Sequence, residues 1–106
     1  MPSTRAEALR SMTPQLVADV TLYPTAEGGR KSIAFPGWGC PGCPSKGSPI
    51  VGYDGWPVLE EPLAPGDRRR VGFVFLSGEK AASELRTAGT FYLWEGGFIG
   101  EAVVIE

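Results

Sequence analysis

The 106-residue sequence contains no histidine and only two cysteines. Histidine has the side-chain pKa nearest neutrality and is the commonest metal ligand, so its absence removes most acid–base chemistry and most metal cages. Basic residues are not in excess either, because ten lysines and arginines face twelve acidic residues, which argues against nucleic-acid binding through bulk charge. The composition therefore predicts that the chain is not an enzyme.

Long apolar runs are also missing. No stretch approaches the roughly 20 apolar residues that span a bilayer, and the N-terminus lacks the apolar stretch of a secretory signal. Two cysteines three positions apart do not form the disulfide framework of a small secreted domain. These absences predict a cytoplasmic protein without a membrane partner.

What the sequence has instead is glycine and proline, fifteen and ten respectively. Such an excess disfavours a helical bundle and is typical of short strands joined by turns. Alternating apolar residues predict a first strand over 16–23 and the strongest strand over 70–76, and Gly96-Gly97 predicts a hairpin turn near the end. Six or so short strands favour an all-β fold, a closed antiparallel β-barrel, because closure removes exposed edges.

Shorter elements complete this prediction. Thr4 and Glu7 fit a capping box, so residues 1–14 are a short N-terminal helix or a flexible lead, and residues 15–106 are a single barrel domain. Ser77 is expected to cap one small helix that Gly89 ends. Further strands are predicted over 32–38 and 50–53, with an irregular one over 56–63, whereas the proline-rich segment 39–49 is predicted to be a surface loop.

Three turn motifs occur in one order along the chain: Glu27-Gly28-Gly29-Arg30-Lys31, Pro65-Gly66-Asp67, and Trp94-Glu95-Gly96-Gly97-Phe98 with the residues that follow to Val104. In order and spacing they resemble the C-terminal β-barrel domain of elongation factor Tu, over about residues 17–105. The resemblance implies a six-stranded antiparallel barrel. It implies no GTP binding, which belongs to a separate domain in that family, and the chain has no GxxxxGK[ST] loop.

The resemblance also implies tRNA as an alternative partner. In the family, the barrel helps hold aminoacyl-tRNA, and the counterparts of its backbone-binding turns in this chain are Gly29, Arg30, Lys31, Gly96 and Gly97. The chain departs from the family pattern at three positions in or beside these turns: Trp94 and Phe98 stand where the family has arginines, and Lys31 stands where it has a histidine.

Arg68, Arg69 and Arg70 form the densest run of positive charge. Together with Arg30, Lys31 and Lys46 they could form a basic strip that meets phosphates or an acidic protein surface. The other interpretation is a solvated entrance to the strongest strand, beside Glu60 and Glu61.

Cys40-Pro41-Gly42-Cys43 is a CxxC motif with three open interpretations. The first is a loop with reduced thiols or a local disulfide, and the second is half of a zinc site, which lacks two of the usual four ligands. The third is a redox pair, although no helix is predicted to begin there. No cofactor is expected, with zinc at Cys40 and Cys43 as the alternative.

Aromatic side chains favour a recognition role, because they are enriched at interfaces. Trp38 and Trp56 flank irregular turns and, with Tyr53, are the candidate partner-binding residues. The leading hypothesis is a non-catalytic module that binds a protein through these residues and the cysteine segment. RNA or tRNA binding and a metal or thiol role at the CxxC motif are the alternatives.

Overall fold

The computed structural model describes residues 4–106, so the first three residues of the predicted N-terminal lead lie outside the described residues. In chain order the elements are α1 (Arg5–Arg10), β1 (Leu16–Leu22), a 3-10 turn (Thr25–Glu27), β2 (Cys40–Cys43), β3 (Tyr53–Pro57), β4 (Arg68–Phe75), α2 (Glu79–Ala88), β5 (Thr90–Trp94) and β6 (Phe98–Val104). All neighbouring strands are antiparallel, in the closed order β1–β4–β3–β2–β5–β6. The predicted six-stranded antiparallel barrel is confirmed.

Strand β1 follows the predicted alternation. Leu16, Ala18, Val20 and Leu22 are buried, and the residues between them are only partly buried. This strand lies between β4 and β6, so it closes the barrel by pairing on both sides. Its apolar period of two is the sequence signal for a strand with one face in the core.

Three phenylalanine rings fill the barrel interior. Phe73 and Phe75 stack at 5.8 Å between ring centroids, and Phe91 meets Phe73 edge-on at 5.2 Å. The facing strands carry glycine where these rings approach. A Cβ on Gly55 would lie 2.5 Å from the Phe75 ring, and one on Gly42 would lie 2.9 Å from the Phe91 ring. The rings therefore occupy the space that a larger side chain at position 42 or 55 would need.

Helix α2 connects β4 to β5, which are separated in the barrel by β3 and β2. Its buried residues Ala81, Ala82 and Leu85 join the same core cluster as the phenylalanines. Gly89 ends the helix with φ of 82°, as predicted. The predicted cap is wrong, because Gly78 rather than Ser77 precedes the first helical turn and no side chain caps it.

Helix α1 begins as predicted, with the Thr4 hydroxyl accepting a hydrogen bond of 3.1 Å from the Glu7 N–H. Of its residues only Leu9 is buried, beside Trp56 and Val74 on the outer face of β3 and β4. Neither helix in the described range 4–106 is long and apolar enough to cross a membrane.

Two predictions for the middle of the chain are wrong, the surface loop over 39–49 and the strand over 32–38. The predicted surface loop contains β2, which pairs with β3 on one side and β5 on the other. Pro41 pairs only with β3, so its missing N–H is tolerated there. The predicted strand over 32–38 is reduced to one bridge between Ala34 and Leu63, because Gly37 turns the chain away with φ of 98°.

The prediction over 50–53 is displaced, since β3 begins at Tyr53 and runs to Pro57. The rest of the irregular segment 56–63 lies outside the strands but still contributes Leu59 and Leu63 to the core. Proline at position 62 and the exposed Glu60 and Glu61 explain why no regular ladder continues there.

We expect Gly55→Ala to destabilise the protein by about 1 to 3 kcal/mol, because the added methyl group would overlap a phenylalanine ring that cannot move aside. Urea unfolding monitored by tryptophan fluorescence measures this change. Gly97→Ala is the matched control, since a Cβ there meets no atom within 4 Å. Equal stability of the two variants would show that the interior tolerates the methyl group.

Candidate functional site

The two turns that the sequence predicted to meet RNA lie side by side. Gly29, Arg30 and Lys31, which follow the 3-10 turn, line one cavity of about 400 Å³ together with Gly96 and Gly97 of the β5–β6 hairpin. The hairpin is tight because Gly96 adopts φ of 71°. Closure of the barrel thus unites residues more than sixty positions apart in the sequence.

Inside this site Arg30 is already engaged. Its Nη1 atom lies 2.5 Å from Glu95 Oε2, and its guanidinium carbon lies 4.9 Å from the centroid of the Trp38 ring. Trp38 Nε1 donates to the same carboxylate oxygen at 3.0 Å. The Arg30 side chain is only 13% exposed, and its charge is paired with Glu95 and contacts the Trp38 ring. Of the two predicted cations in the cavity, Lys31 is the exposed one.

The arginine triplet lies in a different place, at the start of β4. Arg70 donates to Asp19 at 3.0 Å, and Arg68 approaches the same carboxylate at 3.6 Å. The hydrogen bond from Arg70 lowers the pKa of Asp19 below its ordinary value, so the carboxylate stays ionised. Arg69 donates instead to the backbone carbonyls of Glu61 and Pro62. Arg69 and Arg70 line a separate cavity of about 300 Å³ that also contains Glu60 and Glu61.

The cysteines are free thiols on opposite faces of β2. Cys40 packs against the core, whereas Cys43 is fully buried on the outer side, near Trp94 and Gly52. Residues three apart in a strand are separated by about 10 Å and point to opposite faces. A local disulfide needs Cα atoms within about 7 Å, so neither that bond nor one shared ion fits this conformation.

Metal binding finds no further support in the part of the chain that the structure describes, where no three cysteine or acidic side chains lie close enough to hold an ion. Burial raises the pKa of the Cys40 thiol to about 12, and the nearby Glu95 carboxylate adds to this effect. Burial also raises the pKa of Cys43. Both sulfur atoms therefore keep their protons at neutral pH, which disfavours metal ligation and nucleophilic chemistry.

The three predicted partner-binding aromatics are in different environments. Tyr53 packs against the core, and Trp38 is held by Glu95 and Arg30. Trp56 lies on the outer face of β3, where it pairs in register with Val74 of β4. The structure does not bring the three side chains into one patch.

Trp56 alone lies in an apolar groove on the outside of the barrel. We call the Trp56 groove the cavity of about 330 Å³ lined by Arg5, Ala8, Leu9, Met12, Trp56, Val74, Phe75 and Leu76. Leu76 is 71% exposed and Met12 is 50% exposed. Trp56 and Leu76 also line a second cavity of about 380 Å³, which reaches Pro41 and Asp54.

Sequence reasoning missed Leu76 and Met12. Leu76 lies within the strand predicted over 70–76, but β4 ends at Phe75 and leaves it in solvent. The signal that could have found it is the turn chemistry of Ser77 and Gly78 directly after it. Met12 lies beyond α1, and no local pattern predicts that it meets a tryptophan 44 positions later.

No protein-family model matches the sequence, and no curated protein matches it. The turn motifs have local causes in this barrel. Gly28 adopts φ of 93°, and a Cβ on Gly29 would lie 1.8 Å from the carbonyl oxygen of Tyr23. Gly28 and Gly29 are thus required by the backbone itself. The relationship to elongation factor Tu stays a prediction.

We expect the stability of the protein to fall above pH 9 in a way that depends on Cys40. The folded state holds this thiol proton up to about pH 12, whereas an unfolded thiol loses it near pH 9. The contribution is therefore complete below pH 9 and is lost as the pH rises toward 12. Urea unfolding between pH 8 and 11 should give a slope steeper than that of Cys40→Ala by at most about 1.4 kcal/mol per pH unit.

Ser45→Ala serves as the control, because it removes a nearby hydroxyl group that does not titrate in this range. Its slope should equal that of the wild-type protein. Parallel curves for wild type and Cys40→Ala would contradict the assignment of Cys40 as a protonated thiol.

Proposed function

We propose that this chain is a non-catalytic protein-interaction module and that the Trp56 groove is its contact surface. The observation that carries the proposal is the exposure of Leu76 beside the half-buried indole of Trp56. When a partner covers a leucine that has most of its surface in water, the complex is stabilised by roughly 25 cal/mol per Å² of apolar area buried. Tryptophan is the residue type most enriched among interface hot spots.

The shape and charge of the groove define the partner. Leu9, Met12 and Val74 supply apolar walls, and Arg5 lies at one end. On the other side of Trp56, Asp54 lines the neighbouring cavity. A fitting protein segment presents an apolar side chain to the groove, with an acidic group toward Arg5 and a basic group toward Asp54.

The test uses a photoreactive amino acid placed at position 76 and, in a second protein, at position 103. Val103 is the matched control because it is also an exposed apolar residue, at 45%, but lies on β6. We expect cross-linking in the native host to yield a protein from position 76 that position 103 does not yield. That protein is then purified and titrated against the variants.

With the purified partner, Trp56→Ala should lower affinity about 30-fold, the effect of a hot-spot residue worth about 2 kcal/mol. Leu76→Lys should also weaken binding, and Val103→Lys should not. Failure to cross-link any protein through position 76, or equal binding by the two lysine variants, would overturn the proposal.

A second candidate function is tRNA binding, which the juxtaposition of the two predicted turns favours. Lys31 is exposed, and it lines one cavity with Gly29, Gly96 and Gly97, where its ammonium group and the amides of the two hairpin glycines would meet a phosphate. The neutralisation of Arg30 by Glu95 leaves this site with little positive charge. Binding through it would rely on few phosphate contacts.

If tRNA is bound there, filter retention should weaken as salt rises, and Lys31→Ala should reduce the slope of log affinity against log salt by about 1. Lys80→Ala is the control, since Lys80 is an exposed lysine on α2 away from the turns. Absent or salt-independent retention of tRNA would exclude this candidate and leave the groove proposal intact.

A further inference from the structure

A separate cluster on the outer face of β5 and β6 surrounds the ammonium group of Lys46. The Nζ atom lies 5.0 Å from the ring centroid of Tyr92, 5.5 Å from that of Phe98 and 5.2 Å from that of Tyr23. These distances are within the range of about 6 Å in which an aromatic ring attracts a cation. We call Tyr23, Tyr92, Phe98 and Glu101 the ammonium cage.

Hydrogen bonds complete the cage. Lys46 Nζ donates to the Tyr23 hydroxyl at 3.2 Å, and that hydroxyl donates to Glu101 Oε1 at 2.9 Å. Burial raises the pKa of Tyr23, so its proton stays on the phenol. The bound cation thus has three rings beside it, one hydroxyl acceptor, and a carboxylate behind that acceptor to balance its charge.

The walls of the cage are held by the barrel and not by Lys46. Tyr92 and Glu101 are register partners on β5 and β6, and the N–H of Tyr23 donates to the carbonyl of Ile99 at 2.9 Å. Phe98 meets Tyr92 edge-on at 6.1 Å and Trp94 edge-on at 5.0 Å. These contacts preorganise the rings whether or not a cation is present.

The occupant, in contrast, is on an exposed tether. Residues 45–52, between β2 and β3, are all exposed. Within the described range 4–106, the bond from Lys46 to Tyr23 is the one hydrogen bond that joins this segment to another part of the chain. Withdrawal of Lys46 therefore breaks one hydrogen bond and three contacts with aromatic rings, and it opens the cage to solvent.

We propose that the ammonium cage is a binding site for an alkylammonium group that carries at least one N–H, and that Lys46 is its tethered competitor. The N–H is required because the Tyr23 hydroxyl, which already donates to Glu101, can only accept from the ligand. A lysine side chain of a partner protein and a free amine share this chemistry. The site is distinct from the Trp56 groove and does not depend on it.

The experiment compares wild type with Lys46→Ala in two-dimensional ¹H–¹⁵N NMR titrations. The probes are n-pentylammonium, n-pentyltrimethylammonium, neutral 1-hexanol, and lysine blocked at both backbone ends. We expect Lys46→Ala to bind n-pentylammonium with saturable shifts at the amides of Tyr92, Phe98 and Glu101. Wild type should bind n-pentylammonium at least roughly tenfold more weakly, because the tethered Lys46 competes at millimolar effective concentration.

Two further variants test the assignment. Lys31→Ala also removes an exposed lysine but keeps Lys46, so it should bind as weakly as wild type. Tyr92→Leu added to Lys46→Ala should abolish saturable binding. Blocked lysine binding at least as well as n-pentylammonium would identify protein side chains as the source, whereas preference for n-pentylammonium would identify free amines.

Three results would overturn the proposal. One is no saturable shift in Lys46→Ala while its spectrum is otherwise that of the wild-type fold. Another is equal binding of 1-hexanol or n-pentyltrimethylammonium, which would indicate an apolar pocket or no need for the N–H. The third is measured in wild type and therefore does not depend on the fold of the variant. The methylene protons of Lys46 next to Nζ should be shifted upfield by the rings, and an ordinary chemical shift for these protons would exclude the cage directly.

Discussion

The barrel depends on three phenylalanine rings, two of which pack against glycine on a neighbouring strand. Phe73, Phe75 and Phe91 are in contact with one another in the interior, and Phe75 and Phe91 fit because Gly55 and Gly42 present no side chain toward them. Interiors are packed to nearly crystalline density, so a ring on one of these strands requires a glycine on its neighbour. This requirement limits which strands can pair with each other. It draws β2 and β3 close to β5 and β4, and the turns and cavities on the outside take their positions from that register.

Most of the basic residues in the predicted strip are engaged by specific partners. Arg30 is paired with Glu95, Arg68 and Arg70 share Asp19, and Lys46 lies among aromatic rings. The predicted strip of basic residues is thereby divided among separate places on the barrel, with Arg30 balanced by Glu95 and the pair Arg68 and Arg70 exceeding Asp19 by one charge. Charges that are separated and partly neutralised in this way give little long-range attraction, since such attraction requires unpaired charges of one sign.

The predictable parts of the fold are those in which local pattern and tertiary environment agree. Strands β1 and β4 alternate with the period of a half-buried strand, and Gly96 fits the tight turn of the final hairpin. Strand β2 has the opposite character, since proline and glycine disfavour a strand and only pairing on both sides stabilises it there. Its glycine is needed by a ring nearly fifty residues away, which no local pattern reports.

The candidate sites were predictable to a lesser degree for the same reason. No local pattern predicts that the 28–31 turn lies beside the hairpin, and the engagement of Arg30 by Glu95 depends on a pair 65 positions apart. Trp56 was identified from its irregular surroundings, but the leucine and methionine beside it were not. Lys46 was identified as a charge, whereas the rings around it come from Tyr23, just after β1, and from the distant β5–β6 hairpin.

Helix α1 gives the Trp56 groove an unusual wall. A helix of six residues is too short to persist in water by itself, so α1 exists only while Leu9 is docked on the barrel. A partner that binds the groove while α1 is docked would stabilise the helix, whereas a partner that replaces Leu9 would bind only after α1 has undocked. The fraction of molecules in which α1 is docked thus sets how much of the groove is accessible, and the apparent affinity of a partner scales with the fraction that it can bind.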